Sequence, residues 1–283
     1  MSSYIEPAPN LSEAWLRTLE HVVASGGHAV NVITTVENPL AAECGQVRAA
    51  IDEVLTVGHR GDVRLQSVET VAGTIFPRDL YADTGLIYRV DLDAEERAKL
   101  DASAAGLYDA YVDVLPLLTT DQANNRGTYF GRMVSWPGKA GGGRNQLADR
   151  VTRLRRSLDT GKAQRNLEDV AVGGEAELID DCPGLQIYAA SDRRERGFPC
   201  LVHVDLTLYQ GRLSMAATYR HQYLMTKAYG NLLGLSRLLG FLAQQTGFGV
   251  GELMVNATFA DAEQGTYTKR GVTALLADAR AGA

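Results

Sequence analysis

Residues 199–220 read PCLVHVDLTLYQGRLSMAATYR, and this stretch decides the fold. Val202, Val204, Leu206 and Leu208 alternate with His203, Asp205, Thr207 and Tyr209, the period of a half-buried strand. Gln210–Gly211 supplies a two-residue turn, and Arg212–Tyr219 returns. Leu201–Tyr219 is therefore predicted to be an antiparallel hairpin. With that turn, Tyr209 opposes Arg212, and the register extended to its open end sets Cys200 against His221, with Arg220 beside it. Neighbouring positive charge stabilises a thiolate, which is the nucleophilic form of cysteine. A lone cysteine is also commonly a small buried hydrophobe, so the hairpin by itself leaves a reactive and an inert reading of Cys200 open.

Outward from the hairpin, Tyr229–Gln245 carries Leu232, Leu233, Leu235, Leu238, Leu239, Phe241 and Leu242. Apolar residues lie nearly all round it, which predicts a long buried helix ended by Thr246–Gly247. Leu147, Val151, Leu154 and Leu158 give an amphipathic helix closed by Gly161. Towards the N-terminus, a helix opens at Leu11 with Ser12 as candidate cap and ends at Gly26–Gly27. HAVNVITTV, His28–Val36, reads as a strand stopped by Glu37–Asn38–Pro39. Val47–Val57 and Ala94–Leu115 read as helical, the second interrupted at Gly106. Residues 64–76 read as extended chain, and 119–144 as loop-rich. Helices and antiparallel strands in mixed order indicate an α+β fold with a mixed or antiparallel sheet, and the length suits one large domain or two small ones.

Composition bounds the function. The chain has 283 residues, a net charge of −6, 45% hydrophobic and 22% charged residues. These values suit a globular protein. The acidic balance argues against a general nucleic-acid surface. No run approaches the roughly 18–20 apolar residues of a membrane span. MSSYIEPAPN lacks the basic start and apolar core of a secretory signal. Cys44, Cys182 and Cys200 have no metal-ligand spacing and read as reduced thiols of a cytoplasmic protein, with no metal expected. Gly141–Gly142–Gly143 lacks the frame of a phosphate loop. Asp192–Arg196 is a charge cluster, read either as solvated surface or as an anion clamp.

The residues from Phe198 to Glu263 resemble the catalytic half of thymidylate synthases. The family's core signature is a Pro–Cys pair, a hairpin, an Arg at its far end, an Asn at the start of a long apolar helix, then G-x-x-x-G-E/D. Here these are Pro199–Cys200, Arg220, Asn231 and Gly247 to Gly251–Glu252. More loosely, Tyr129–Phe130–Gly131–Arg132 with Trp136–Pro137, and Asn145–Gln146 before the amphipathic helix, are similar to upstream family segments. Gly161–Arg165 stands where the family places a Ser-Arg-Arg turn, with Gln164 in place of one arginine. Ser12–Trp15 and Glu37–Leu40 resemble the shorter, archaeal-type members.

The resemblance implies a single domain over residues 1–283 with a thymidylate synthase-like fold, forming a sheet-mediated homodimer and acting on a pyrimidine nucleoside monophosphate. A Cys200 thiolate would add to C6, and C5 would accept a methyl or hydroxymethyl unit from 5,10-methylenetetrahydrofolate. Covalent catalysis of this kind divides one hard alkylation into easier steps. Arg220 would bind phosphate and hold Cys200 ionised. Arg165 would reach the phosphate in the neighbouring subunit. Asn231 would read the base edge. His221 stands where the family has Ser, Tyr223 where it has an Asp that assists base recognition, and Leu201 where it often has His. Asp261 and Glu263 stand where the family has the His and Tyr that hold the sugar hydroxyl, so a sugar, or a substitution on it, other than that of deoxyuridine monophosphate is expected. The alternative is a catalytically inactive nucleotide-binding paralogue with a regulatory or scaffold role.

Overall fold

The structure is a computed structural model describing residues 3–57, 59–60, 63–121, 124, 127–136, 142–161, 185–187 and 199–281. Arg165, the Asp192–Arg196 cluster, Cys182 and Phe198 lie outside the described residues. The fold is α+β with a mixed sheet, and the chain divides into two compact units: 1–75, 216–237 and 251–283 in the first, 76–215 and 238–250 in the second. Among the described residues no helix is long and apolar enough to cross a membrane.

The first unit begins with β1 (Ser3–Tyr4), α1 (Leu11–Ala24) and β2 (His28–Val36). Asn10, not Ser12, caps α1, its side chain accepting the Glu13 N–H at 2.9 Å. The Ser12 hydroxyl is turned inward instead. It lies 2.9 Å from the Tyr229 hydroxyl and accepts the Cys44 N–H at 2.8 Å. Both residues are good cap formers; the inward one was claimed by buried polar partners. β2 matches its predicted bounds. It pairs antiparallel with the 13-residue β9 (Gly249–Asp261), from His28↔Asp261 to Val36↔Leu253, and parallel with β1. β8 (Gln222–Tyr223) lies parallel to the C-terminal end of β9, with Tyr223 opposite Asp261. α2 (Gly45–Val57), the short β3 (His59–Arg60) and β4 (Val63–Arg64), and α8 (Gln264–Arg280) complete the unit together with α3.

That α3 (Val68–Gly73) corrects the expectation of extended chain over 64–76. The β-branched Val68, Thr70 and Val71 suggested a strand. Ser67, however, caps the Thr70 N–H at 3.1 Å, and Val68, Val71 and Ala72 bury one helical face. The face packs on α7 (Tyr229–Thr246) where that helix has no side chains: a Cβ on Gly230 would stand 2.6 Å from the Val71 Cβ, and one on Gly234 2.7 Å from the Ala72 carbonyl oxygen.

The second unit holds α4 (Ala94–Leu118), α5 (Tyr129–Val134), α6 (Gln146–Thr160), β5 (Leu185–Gln186) and β6 (Leu201–Tyr209). β7 (Arg212–Tyr219), β9 and α7 carry residues of both units. The hairpin forms as predicted. Gln210 and Gly211 take φ of 50° and 73°, the positive values that let a two-residue turn follow the strand twist. β5 pairs antiparallel with β6. α6 has its expected ends, capped by Asn145 at 3.0 Å and closed by the left-handed Gly161.

Two expectations in this unit are corrected. α4 is not interrupted at Gly106. An exposed glycine costs a helix about 1 kcal/mol, and burial of Leu100, Leu107, Tyr111 and Leu115 outweighs that. The loop-rich stretch contains α5, whose first turn is capped by the Thr128 hydroxyl accepting the Gly131 N–H at 3.1 Å. Phe130 from α5 meets Phe76 edge-on at 6.1 Å and Tyr111 at 4.8 Å, and Phe241 of α7 meets Tyr81 at 5.1 Å. Edge-to-face pairs of this kind contribute beyond their buried area.

Candidate functional site

Strand pairing in the first unit assembles a polar cluster at one end of the sheet. β9 ends at Asp261, with β2 opening on one flank at His28 and β8 closing on the other at Tyr223. Asp261 Oδ1 lies 3.4 Å from His28 Nε2, and Oδ2 lies 3.7 Å from His221 Nε2. His221 stacks on Tyr223 with ring centroids 4.3 Å apart, and Phe259 sits edge-on to His221 at 5.0 Å and tilted against His28 at 5.5 Å. Arg220 is exposed in the bend between β7 and β8. The Thr258 hydroxyl donates to its carbonyl oxygen at 2.6 Å, tying that bend to β9.

Asp261 also positions its neighbour. Oδ1 accepts the Glu263 N–H at 2.6 Å and helps to hold Glu263 at φ 53°, a left-handed conformation uncommon outside glycine. Glu263 then points inward and is 5% exposed. Its carboxylate accepts the Met225 N–H at 3.0 Å, the Thr226 N–H at 2.8 Å and the Thr226 hydroxyl. Burial pushes its carboxyl above the usual range; the Thr226 hydrogen bonds oppose the rise, and the Asp261 charge adds to it. Expected as a ligand of the sugar, Glu263 has both oxygens committed within the protein. Its work is to cap the π-helical turn Leu224–Ala228 that leads into α7.

That turn sets the position of Asn231. The Trp15 indole N–H donates to the Leu224 carbonyl at 2.8 Å, and the Tyr229 hydroxyl meets Ser12. Asn231 follows in the first turn of α7, 5% exposed. π-helical turns are rare and recur at functional sites.

Cys200 lies in the second unit, half-buried, its thiol free of any disulfide, immediately before β6. The Tyr129 hydroxyl of α5 accepts the Leu201 N–H at 3.4 Å. Burial first, then the nearby Cys200 sulfur, push the Tyr129 phenol well above its ordinary value; the backbone N–H groups of Leu201 and Cys200 and the Arg132 charge oppose this. Tyr129 is thereby kept protonated beside the sulfur. Arg132, one turn on, is buried and donates from Nη1 to the Ile187 carbonyl at 2.9 Å.

Of the residues singled out from the sequence, His221, Tyr223 and Asp261 come into direct contact and Glu263 joins them through its backbone. His28, Phe259 and Tyr129 were assigned no role by the sequence reading. His28 reaches Asp261 only through the β2–β9 register, a relationship between distant segments. Tyr129 stood inside a quoted family-like segment, and the capping Thr128 before it was the available signal for the helix that carries it.

Among the described residues no group of three or more His, Cys, Asp or Glu is arranged to hold a metal ion. No family model and no curated protein matches the chain.

Proposed function

We propose that this chain is a divergent thymidylate synthase-like transferase that adds a methyl or hydroxymethyl unit to C5 of a pyrimidine nucleoside monophosphate. The observation that carries the reading is a half-buried, undisulfided Cys200 at the mouth of the hairpin, where the Tyr129 hydroxyl accepts the adjacent Leu201 N–H. The order of elements expected of the signature follows it: hairpin, Arg220 in an exposed bend, Asn231 at the start of a buried helix.

In this reading the Cys200 sulfur forms a bond to C6, and the C5=C6 electron pair moves to C5 as an enolate. C5 then attacks a one-carbon unit at the formaldehyde oxidation level and loses its proton; the carrier of that unit departs, and expulsion of the thiolate restores the C5=C6 double bond as the unit takes up a hydride from a reductant, giving methyl, or water, giving hydroxymethyl. Asn231 reads the base edge, Arg220 binds phosphate, and Arg165 serves the neighbouring subunit of a homodimer. 5,10-Methylenetetrahydrofolate is the proposed donor by resemblance alone. Trp15 is fully buried against Tyr229 and does not present a face to a pterin, so no step is derived through folate.

A sheet-mediated homodimer is proposed by resemblance alone.

The test uses 5-fluorinated uridine and cytidine monophosphates and their deoxy forms, with mass spectrometry of the protein. An adduct on the peptide containing Cys200, absent in Cys200→Ala, is the expected result. Binding without adduct, and without tritium release from a C5-labelled nucleotide in the presence of folate, would instead favour the inactive paralogue.

A further inference from the structure

Asp261 has one oxygen in use and one to spare. Oδ1 takes the Glu263 N–H. Among the described residues Oδ2 takes no hydrogen bond; His221 Nε2 stands 3.7 Å from it, beyond hydrogen-bond reach. That ring nitrogen is itself buried without a hydrogen-bond partner. An acceptor and an imidazole nitrogen thus stand slightly too far apart to satisfy each other. A hydroxyl set to one side of the pair, at hydrogen-bond distance from each, satisfies both, because it donates to the carboxylate while it accepts from the ring N–H. On the other side of the same carboxylate His28 offers a second imidazole, more than half exposed. Phe259, in contact with both imidazole rings, gives an apolar floor for ring carbons.

We propose that His28, His221 and Asp261 form a subsite for the cis-diol of a ribose, which makes the substrate a ribonucleoside rather than a deoxyribonucleoside 5′-monophosphate. The inference rests on the nucleotide reading above and narrows it to a sugar class. A carboxylate is the side chain that accepts from ribose hydroxyls in dinucleotide sites, and the 2′-hydroxyl is the group by which a protein distinguishes the two sugars. Phosphate is disfavoured here, because Asp261 would repel it. Glu263 adds nothing to the subsite directly, since its oxygens are spent on Met225 and Thr226. A site built to bond a hydroxyl discriminates against the analogue that lacks it, because its own polar groups are then left unpaired.

The test is isothermal titration of three pairs: uridine and deoxyuridine monophosphate, cytidine and deoxycytidine monophosphate, and ribose 5-phosphate and 2-deoxyribose 5-phosphate. The ribose member of a pair is expected to bind roughly tenfold tighter or better, the worth of one hydrogen bond to a charged group. Asp261→Asn, which keeps an acceptor for Glu263, should level the pair. His221→Phe, which keeps the stack on Tyr223, should reduce the preference and carries the test if the first variant does not fold. Preference for ribose 5-phosphate with no binding of any nucleotide would sustain the diol subsite and remove the pyrimidine reading. Equal affinity within every pair, a preference for the deoxy member, no binding in any pair, or a preference untouched in both variants overturns the subsite.

Discussion

Glu263 holds Thr226 twice over, accepting its backbone N–H at 2.8 Å and its hydroxyl at 3.0 Å. The contact joins the end of β9 to the π-helical turn before α7, and with it the Asp261 cluster to the segment that sets Asn231. A residue expected from the sequence to hold a sugar is instead part of the frame that positions its neighbours.

The first prediction concerns pH. Burial raises the Glu263 carboxyl above its ordinary value of 4.5 in the folded protein. Below 4.5 both folded and unfolded chains carry the proton, and the contribution is fully present. As pH rises the unfolded chain releases it first, so stability falls until the folded carboxyl has also ionised. Glu263→Gln should abolish this loss between pH 4.5 and the folded midpoint. At neutral pH the same variant should cost about 1–3 kcal/mol, because the amide cannot accept all the N–H and O–H groups that converge there. Urea titrations across the pH range measure both effects.

Glu69 behaves in the opposite sense. Its carboxyl is lowered to about 2, first by the hydrogen bond from Arg237 and then, against the opposing effect of burial, by Arg48. Its contribution is present above pH 4.5 and is lost as pH falls towards 2. Because its side chain is about half exposed, solvent screens much of the attraction, and Glu69→Gln should cost about 1 kcal/mol or less at pH 7. The cost should shrink below pH 4 and also in high salt. A cost independent of pH would show that the pairing with Arg237 and Arg48 is not its source.

The sequence made the local features legible and left the distant ones dark. The hairpin was readable because alternation and a two-residue turn are contained within a few residues, and α6 because its cap, stripe and closing glycine are contiguous. α3 was misread because β-branched residues favour strands until Gly230 and Gly234 clear a place for them. The buried Leu253, Val255 and Ala257 alternate along β9, yet their strand was read only as the site residues at its end. The cluster at Asp261 required two strand registers at once. Neither His28 nor Phe259 carries a local sign that it will face the same carboxylate.

The two serine and asparagine positions at the start of α1 separate capping from core hydrogen bonding. Asn10→Ala removes the cap on the Glu13 N–H and should cost about 1 kcal/mol. Ser12→Ala should cost as much or more, up to about 3 kcal/mol, since it removes one partner of the buried Tyr229 hydroxyl and the acceptor of the Cys44 N–H. Ser12→Ala and Tyr229→Phe together should cost less than the sum of the two single changes, because their shared hydrogen bond is lost only once, a non-additivity that a double-mutant cycle reads directly. Simple additivity would mean that the two hydroxyls do not act as a pair.

Two glycines in helices should respond to alanine with opposite signs. Gly106 in α4 is exposed, and a Cβ there meets nothing within 4 Å. Alanine improves helix propensity and should stabilise the protein by about 0.5–1 kcal/mol. Gly234 in α7 has the same propensity to gain, but its Cβ would stand 2.7 Å from the Ala72 carbonyl oxygen and 2.9 Å from the Ile75 Cβ. Neither is the far end of a flexible side chain, so α3 itself would have to shift. Overpacking of this kind costs about 1–3 kcal/mol, which exceeds the propensity gain, and Gly234→Ala should lower the melting temperature while Gly106→Ala raises it. If both variants were stabilised, α3 would not pack on α7 as closely as the structure has it, and the account of why residues 68–73 are helical would fail with it.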